Sequence, residues 1–210
     1  MDYLVTMTTR VPDGTPGEAV DDVRAREAAH SRDLAAQGHL LRLWRPPLEP
    51  GEWRTLGLFA ADDAARLEEV LASMPLRVWR RDEVTPLGSH PNDPVAAGWP
   101  APGASQGVPD GTAEFLVTFT LTIPEGTPDQ AVDDTIAREA ARARELAGQG
   151  HLVRLWRLPG GQALGLWRAG DAAGMAEILA SLPLRAWLKT ETTPLARHPS
   201  DPGTSASPIR

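Results

Sequence analysis

Gly38-His-Leu-Leu-Arg-Leu-Trp-Arg45 decides the fold, because the stretch returns almost unchanged as Gly150-His-Leu-Val-Arg-Leu-Trp-Arg157. In both copies a glutamate, Glu27 or Glu139, stands eleven residues before the glycine. Each glutamate lies in a segment with the apolar spacing of an amphipathic helix, and the side chains after each glycine alternate as in a strand. Each copy therefore predicts a helix followed by a strand.

The repetition extends over most of the chain. A shift of 112 positions aligns Tyr3-Leu-Val-Thr-Met7 with Phe115-Leu-Val-Thr-Phe119, and the first repeat has four extra residues shortly after Arg45. The segment between the repeats is rich in Gly, Pro and Ala and has no periodicity, which is typical of a linker. We predict the following division: a first unit at 1–94, a linker at 95–112, a second unit at 113–202 and a flexible tail at 203–210.

Each repeat predicts the element order β-α-β-β-α-β of a ferredoxin-like unit. Thr15-Pro16 is a typical helix start, Gly38 ends that helix, and Pro75 ends a second one. Because such a unit leaves one face of its sheet uncovered, we predict that the two units pack sheet to sheet as an internal pseudodimer. The fold class is then α+β, a dimeric α+β barrel, with strict alternation placing Leu40, Arg42 and Trp44 on the joining face.

Composition narrows the classes of partner. The chain has 210 residues, 41% hydrophobic content, a net charge of −7 and no cysteine, so disulfides and thiolate metal sites are excluded. Nucleic acid is not expected because the arginines are interspersed with acids. No signal peptide or membrane-spanning run is visible, so we expect a cytoplasmic protein. No zinc-ligand spacing or Gly-rich phosphate loop occurs, so we expect neither a metal nor a cofactor.

Glu27 lies at the centre of the apolar face of its predicted helix. At 100° per residue, four residues fall within about 40° of it: Val20, Val23, Ser31 and Leu34. Glu139 is surrounded in the same way in the second repeat. A carboxylate turned toward a sheet either has a raised pKa, as a general base requires, or pairs with a cation. Both interpretations stay open, and Arg45 and Arg157 are the expected cations.

Other candidate site residues lie near the helix glutamates in sequence or on the repeated strand. His30 lies three residues after Glu27 and could share its proton, whereas the second repeat has an arginine there. The remaining candidates are substrate contacts from the repeated strand: Arg42, Trp44, Arg154, Trp156, His39 and His151. The alternative for the two tryptophans is a position in the core or at an interface. The alternative for His39 and His151 is a position at the exposed end of a strand. His90 and His198, in Pro-rich tails, could cover a pocket.

The motifs together resemble the muconolactone Δ-isomerase family. The resemblance is carried by residues at matching spacings in both repeats: Glu27, Gly38, Leu43-Trp44-Arg45, Pro75-Leu76, Leu87 and His90-Pro91, with Glu139, Leu155-Trp156-Arg157, Leu182-Pro183-Leu184, Leu195 and His198-Pro199. It covers nearly the full length of each repeat. Family members are usually single-unit chains that assemble further, so a fused pair departs from the pattern, and a larger homo-oligomer is left open.

The resemblance implies a cofactor-free isomerase that moves a double bond in a small unsaturated lactone. Glu27 or Glu139 would remove a proton and return it elsewhere, and Arg45 or Arg157 would stabilise the dienolate or bind a substrate carboxylate. Arg42 and Arg154 are candidates from strand alternation alone. Because the lysine that often follows the family glutamate is Ala28 here, cyclisation or dehydration of a related carbonyl compound is also considered.

Two further interpretations remain at this stage. In the first, the chain is a non-catalytic small-molecule-binding or assembly module with salt-bridged glutamates. In the second, it is a cofactor-independent oxygenase, which rests on analogy of fold alone. An open pocket that reaches a helix glutamate favours the enzyme, whereas a closed ion pair at both glutamates favours the binding module.

Overall fold

The structure is a computed structural model in which residues 1–99 and 112–204 are described. It divides into two compact units, Met1–Leu87 with the segment that begins at Ala196, and Gly88–Leu195. Most of the predicted linker and tail, residues 100–111 and 205–210, lies outside the described residues. The repeat boundaries therefore stay a prediction.

Unit 1 contains the predicted β-α-β-β-α-β order. Its elements are: β1 Asp2–Thr9, α1 Gly17–Ala36, β2 Leu40–Arg45, β3 Arg54–Ala60, α2 Ala64–Ser73, the 3₁₀ turn η1 Pro75–Trp79 and β4 Arg80–Ser89. Pro16 precedes α1, and Gly38 ends it at a φ of +78°, which favours glycine. Asp63 caps α2 by accepting the Arg66 N–H at 2.8 Å.

Unit 2 repeats this order. Its elements, with the final turn of the chain, are: β5 Ala113–Leu121, α3 Asp129–Gly148, β6 Leu152–Arg157, β7 Ala163–Ala169, α4 Ala172–Ala180, η2 Arg185–Trp187, β8 Leu188–Arg197 and η3 Pro202–Thr204. Asp171 caps α4 as Asp63 caps α2, by accepting the Gly174 N–H at 2.8 Å. Among the described residues, no helix combines the length and the apolar character needed to cross a bilayer.

The strands of each unit pair antiparallel in ferredoxin-like order. In unit 1, β1 lies between β3 and β4, and β2 pairs with β3. In unit 2, β5 lies between β7 and β8, and β6 pairs with β7. Apolar side chains of β1 and β3 pack against Leu34 of α1 and Leu67 and Leu71 of α2. This packing places the sheet-facing side of α1, with Glu27, at one end of the core.

The register of β2 against β3 shifts between Leu40 and Arg42. Leu40 and Leu43 consequently share the hydrophobic core of unit 1, and Arg42 stacks on Trp44 outside that core. The predicted grouping of Leu40 with Arg42 and Trp44 is therefore wrong, because strict alternation fails at an irregularity in pairing. The same shift occurs in β6 after Leu152.

A segment distant in sequence completes each unit. In unit 1, Ala196 and Arg197 pair with Arg45 and Trp44 of β2. In unit 2, Gly88 and Ser89 pair with residues of β6. Each His-Pro motif therefore lies in the unit formed mainly by the other repeat, which the linear spacing of the motifs does not reveal.

Candidate active site

Glu27 lies on the sheet-facing side of α1 and is held at both carboxylate oxygens. The Leu76 N–H donates to Oε2 at 2.8 Å, and Nη1 of Arg80 donates to Oε1 at 3.2 Å. The Leu76 N–H is available because the first N–H groups of a helical turn have no partner inside it. The side chain of Glu27 is only 12% exposed. An oriented carboxylate therefore lies at the edge of the core.

Arg80 is bound primarily by Asp82. Its Nε donates to Oδ1 of Asp82 at 2.6 Å and its Nη2 to Oδ2 at 2.9 Å, and both side chains are 2% exposed. This bidentate pair offsets the charge of Arg80, so its longer single contact with Glu27 is the weaker of the two. The expectation that Glu27 would pair with Arg45 is wrong, since the cation at the carboxylate comes from β4.

Burial raises the pKa of Glu27 above its ordinary value, and this is the largest influence on it. The Leu76 N–H and the positive charges of Arg80 and His30 act in the opposite direction, and the charge of Asp82 adds to the rise. Burial outweighs the opposing influences, so the pKa of Glu27 stays above its ordinary value. A carboxyl group of this kind can take up and release a proton closer to neutral pH than an exposed glutamate can.

A cavity of about 190 Å³ opens beside Glu27. Its wall combines an apolar part, from Met7, Leu43, Met74 and Leu76, with the hydroxyls of Thr9 and Ser31. Three arginines also line it: Arg24, Arg45 and Arg80. In a chain of net charge −7, this local excess of positive charge favours an anionic ligand.

The C-terminal segment forms one wall of the same cavity through His198, Pro199 and Ser200. Burial, and secondly the charge of Arg45, lowers the pKa of His198. Its Nδ1 accepts the Ser200 N–H at 3.1 Å, so the neutral ring carries its proton on Nε2. His198 is thus a neutral hydrogen-bond donor near the cavity at neutral pH.

Asp201 anchors this segment. It accepts hydrogen bonds from Nε and Nη2 of Arg42, both at 3.1 Å, and from the Leu43 N–H at 2.9 Å. Arg42 lies 4.8 Å above the ring of Trp44, and both side chains are buried. Neither residue lines the cavity. A substrate contact from Arg42 or Trp44 stays a prediction, and in this structure Asp201 and the sheet hold both side chains.

The corresponding residues of unit 2 form an equivalent cluster. Nε of Arg154 donates to Asp93 at 3.1 Å, and the guanidinium lies 4.8 Å from the ring centre of Trp156. The Leu155 N–H also donates to Asp93. Both side chains are buried in this cluster, and the prediction that Arg154 and Trp156 contact substrate stays a prediction.

The predicted histidines of the helix and strand ends lie apart from the cavity. Nε2 of His30 is 2.8 Å from Oγ of Ser73, a contact that the helix side chain of Arg142 makes with Ser181 in unit 2. Nδ1 of His39 lies 3.1 Å from the Ala60 carbonyl, and His151 makes the same type of contact. None of the three histidines lines the cavity of unit 1. Each ring contacts a neighbouring element, and a catalytic role for His30 or a substrate contact from His39 or His151 stays a prediction.

Glu139 of unit 2 has the same backbone partner and a different electrostatic environment. The Leu184 N–H donates to its Oε2 at 2.9 Å, and burial raises the pKa of the carboxyl. The residues that align with Arg80 and Asp82 are Leu188 and Thr190. His90 lies near Arg157, and burial followed by the charge of Arg157 lowers the pKa of this histidine.

Sequence reasoning missed Arg80 and Arg24. Arg80 follows a 3₁₀ turn, so its approach to α1 depends on a turn geometry that residue spacing does not encode. Helical spacing could have indicated Arg24, because it precedes Glu27 by three residues and so lies on nearly the same side of α1. Within residues 1–99 and 112–204, no three His, Asp or Glu side chains are grouped so as to hold a metal ion.

The fold is similar to that of several solved structures. A heme-binding protein from Thermus thermophilus superposes with a TM-score of 0.58 at 12% identity, over 95% of this chain and 93% of that one. Chlorite dismutase from Candidatus Nitrospira defluvii gives 0.57 at 11% identity, over 93% and 91%. At these identities the likeness concerns the fold alone, and it confirms the predicted α+β class of dimeric α+β barrels.

Sequence comparison is more specific. Muconolactone Delta-isomerase 1 of Acinetobacter lwoffii is 35% identical over 90 residues, which are 43% of this chain and 91% of that protein. The Cupriavidus pinatubonensis muconolactone Delta-isomerase is 33% identical over 90 residues, 43% of this chain and 95% of that protein. The family model described as muconolactone delta-isomerase matches residues 1–93 and again 113–201. The chain belongs to the muconolactone delta-isomerase family, as a tandem pair of family units.

Proposed function

We propose that the Glu27 cavity is the active site of an isomerase that moves a double bond in a small unsaturated lactone carrying a carboxylate. One observation supports this most directly: a carboxyl group with a raised pKa faces a cavity whose wall bears three arginines. The family membership supports the reaction class. The cavity, at about 190 Å³, is smaller than the ~300–1,000 Å³ of drug-sized sites, which favours a compact substrate.

In the proposed reaction Glu27 acts first as base and then as acid. It takes the proton from the carbon γ to the lactone carbonyl, and the electron pair of that C–H bond moves through the conjugated system to the carbonyl oxygen. The resulting dienolate takes the same proton at the α carbon, which restores the carbonyl and ionises Glu27. Atoms and electrons balance within the substrate and one carboxylate, so no co-reactant is needed.

Arg80 would stabilise the dienolate oxygen. It is buried and held by Asp82 before any ligand binds, so its donors need little reorganisation as negative charge develops. His198, with a neutral ring, offers a further hydrogen bond from the C-terminal segment that lines the cavity. Arg45, which matches the family motif, contributes positive charge beside His198.

The contact between Glu27 and Arg80 also favours a second candidate, a binding module in which the glutamate is held as a structural anion. The two candidates differ in whether Glu27 exchanges protons with the ligand. In that module Glu27→Gln would change ligand affinity, and no exchange would be catalysed by the parent protein.

The test is exchange of deuterium from solvent into muconolactone, followed by NMR with the full chain. Glu27→Gln should abolish the exchange and keep the fold, because the amide cannot accept the proton. Glu139→Gln is the matched control, since it makes the same change at the equivalent position of unit 2. Exchange that survives in Glu27→Gln but is lost in Glu139→Gln would assign the reaction to unit 2. Exchange that persists in the double variant would refute both assignments.

A further inference from the structure

Arg24 and Trp53 line the Glu27 cavity together and stack on each other. The guanidinium carbon of Arg24 lies 4.8 Å from the ring centre of Trp53. Arg24 is 55% exposed whereas Arg80, in the same cavity, is 2% exposed. The cavity therefore has a buried cation at its inner end and an exposed cation, stacked on an aromatic ring, at its outer end.

The stacking orients the outer cation. A guanidinium that lies over an aromatic face keeps its N–H donors in its own plane, where they can bind a carboxylate with two hydrogen bonds. Among the described residues its ionic partner is Asp21, at 3.8 Å and 78% exposed, and such a contact is weak in water. Arg24 is thus oriented and only weakly neutralised, whereas Arg80 is bound by Asp82.

We infer that Arg24, oriented by Trp53, is the specificity residue that binds the substrate carboxylate at the outer end of the cavity. The identity of the substrate as a lactone rests on the proposed function, but the selection of an anionic over a neutral ligand does not. The two charges of the reaction are then separated: Arg24 holds the permanent carboxylate, and Arg80 faces the oxygen that becomes negative. The ligand class is a compact acid whose carboxylate projects away from its reacting carbons.

Unit 2 has neither the arginine nor the tryptophan of this stacked pair. The residue that aligns with Arg24 is Ile136, which is 45% exposed, and the residue that aligns with Trp53 is Gly161 in a shorter loop. Selection for a carboxylate is accordingly assigned to unit 1 alone.

The test is binding in a Glu27→Gln background, where no turnover occurs, measured by calorimetry with muconolactone and with its methyl ester. The background protein should bind the acid more tightly than the ester. Arg24→Gln should weaken binding of the acid about tenfold and change binding of the ester by less than about twofold. Trp53→Leu should weaken binding of the acid by a smaller factor, and Arg24→Lys should restore part of the affinity.

Arg26→Gln is the matched control, because Arg26 lies on the same helix, pairs with Asp22 and does not line the cavity. It should leave both affinities unchanged. Equal weakening of acid and ester by Arg24→Gln would overturn the inference, as would equal effects of the Arg24 and Arg26 variants, or no binding of the acid. With Glu27 restored, Arg24→Gln should raise KM for the acid and leave kcat within a few-fold.

The outcomes also separate this inference from the proposed function. If the parent protein catalyses no deuterium exchange but Arg24→Gln still removes the preference for the acid, the carboxylate site stands and the isomerase proposal fails. If exchange occurs and the preference is unchanged in Arg24→Gln, the isomerase stands and the carboxylate site fails.

Discussion

Glu27 and Glu139 occupy the same position in two copies of one unit, and a buried ion pair beside Glu27 is one of the differences between their surroundings. Each carboxylate accepts one backbone N–H, at 2.8 and 2.9 Å, and burial raises the pKa of each. Unit 1 adds the buried ion pair of Arg80 and Asp82, where unit 2 has a leucine and a threonine. The helix and the backbone donor thus suffice to place the carboxylate, and the cation is a separate addition.

The charges of Arg80 and Asp82 depend on each other. A buried arginine without a partner is costly, and so is a buried aspartate, because each loses its hydration. Arg80 and Asp82 satisfy each other, with Arg77 as a second cation at Asp82, and the remaining donor of Arg80 can reach Glu27 without neutralising it fully. The same buried carboxylate can therefore be accompanied by a paired arginine and aspartate, as at Glu27, or by uncharged residues, as at Glu139.

The largest expected effect concerns catalysis. Glu27→Gln should lower the rate of deuterium exchange into muconolactone by about a thousandfold, the scale of general acid–base catalysis, whereas Glu139→Gln should change it by less than about threefold. NMR at saturating lactone measures the rate. Similar losses in both variants would remove the functional distinction between the two carboxylates.

Next in size is a change in stability. Arg80→Leu should lower the free energy of unfolding by about 1.5–3 kcal/mol, because it removes charge-assisted hydrogen bonds to the buried carboxylate of Asp82 and leaves Arg77, at 2.6 Å, as its remaining cation. The double variant Arg80→Leu with Asp82→Thr reproduces the residues of unit 2 and should recover part of that loss, because the buried carboxylate is removed and Arg77 keeps Glu68 as a partner. Urea unfolding followed by far-UV circular dichroism provides the comparison. A double variant as unstable as the single one would contradict the view that the pair acts as one element.

A smaller effect is expected in the pH profile. Glu27 has to be ionised to act as base, so kcat/KM should fall as pH decreases through its raised pKa. Arg80 lowers this pKa more than Asp82 raises it, so the double variant should move the acid limb to higher pH. A limb that stays in place would show that the titrating group is not Glu27.

The smallest effect is the pH dependence of stability that comes from Glu139. Its pKa is raised by folding, so the native state binds more protons than the unfolded state between the ordinary pKa and the raised one. The contribution of Glu139 to stability is therefore present at acid pH and is lost as pH rises through that window. Glu139→Gln should lack this loss, which unfolding at a series of pH values would detect. A parallel pH dependence in parent and variant would contradict the raised pKa.

Much of this arrangement could be predicted from sequence. The duplication, the element order and the inward position of Glu27 follow from spacing, because repeats, turn residues and helical periodicity are local properties. The register shift after Leu40 could not be predicted, since strict alternation assigns each side chain by parity alone. Arg80 was missed because its approach to Glu27 depends on η1, and the place of His198 depends on which unit receives the C-terminal segment.

That segment has a consequence for the order in which the molecule is made. All of unit 2, Gly88–Leu195, is one continuous stretch, whereas unit 1 also needs residues from Ala196 onward. A ribosome therefore synthesises every residue of that stretch before His198 and Asp201 exist, although β1 of unit 1 is made first. The Glu27 cavity gains its last wall only after unit 2 has been translated, so a protein released early, after Leu195, would carry Glu27 in an unfinished site.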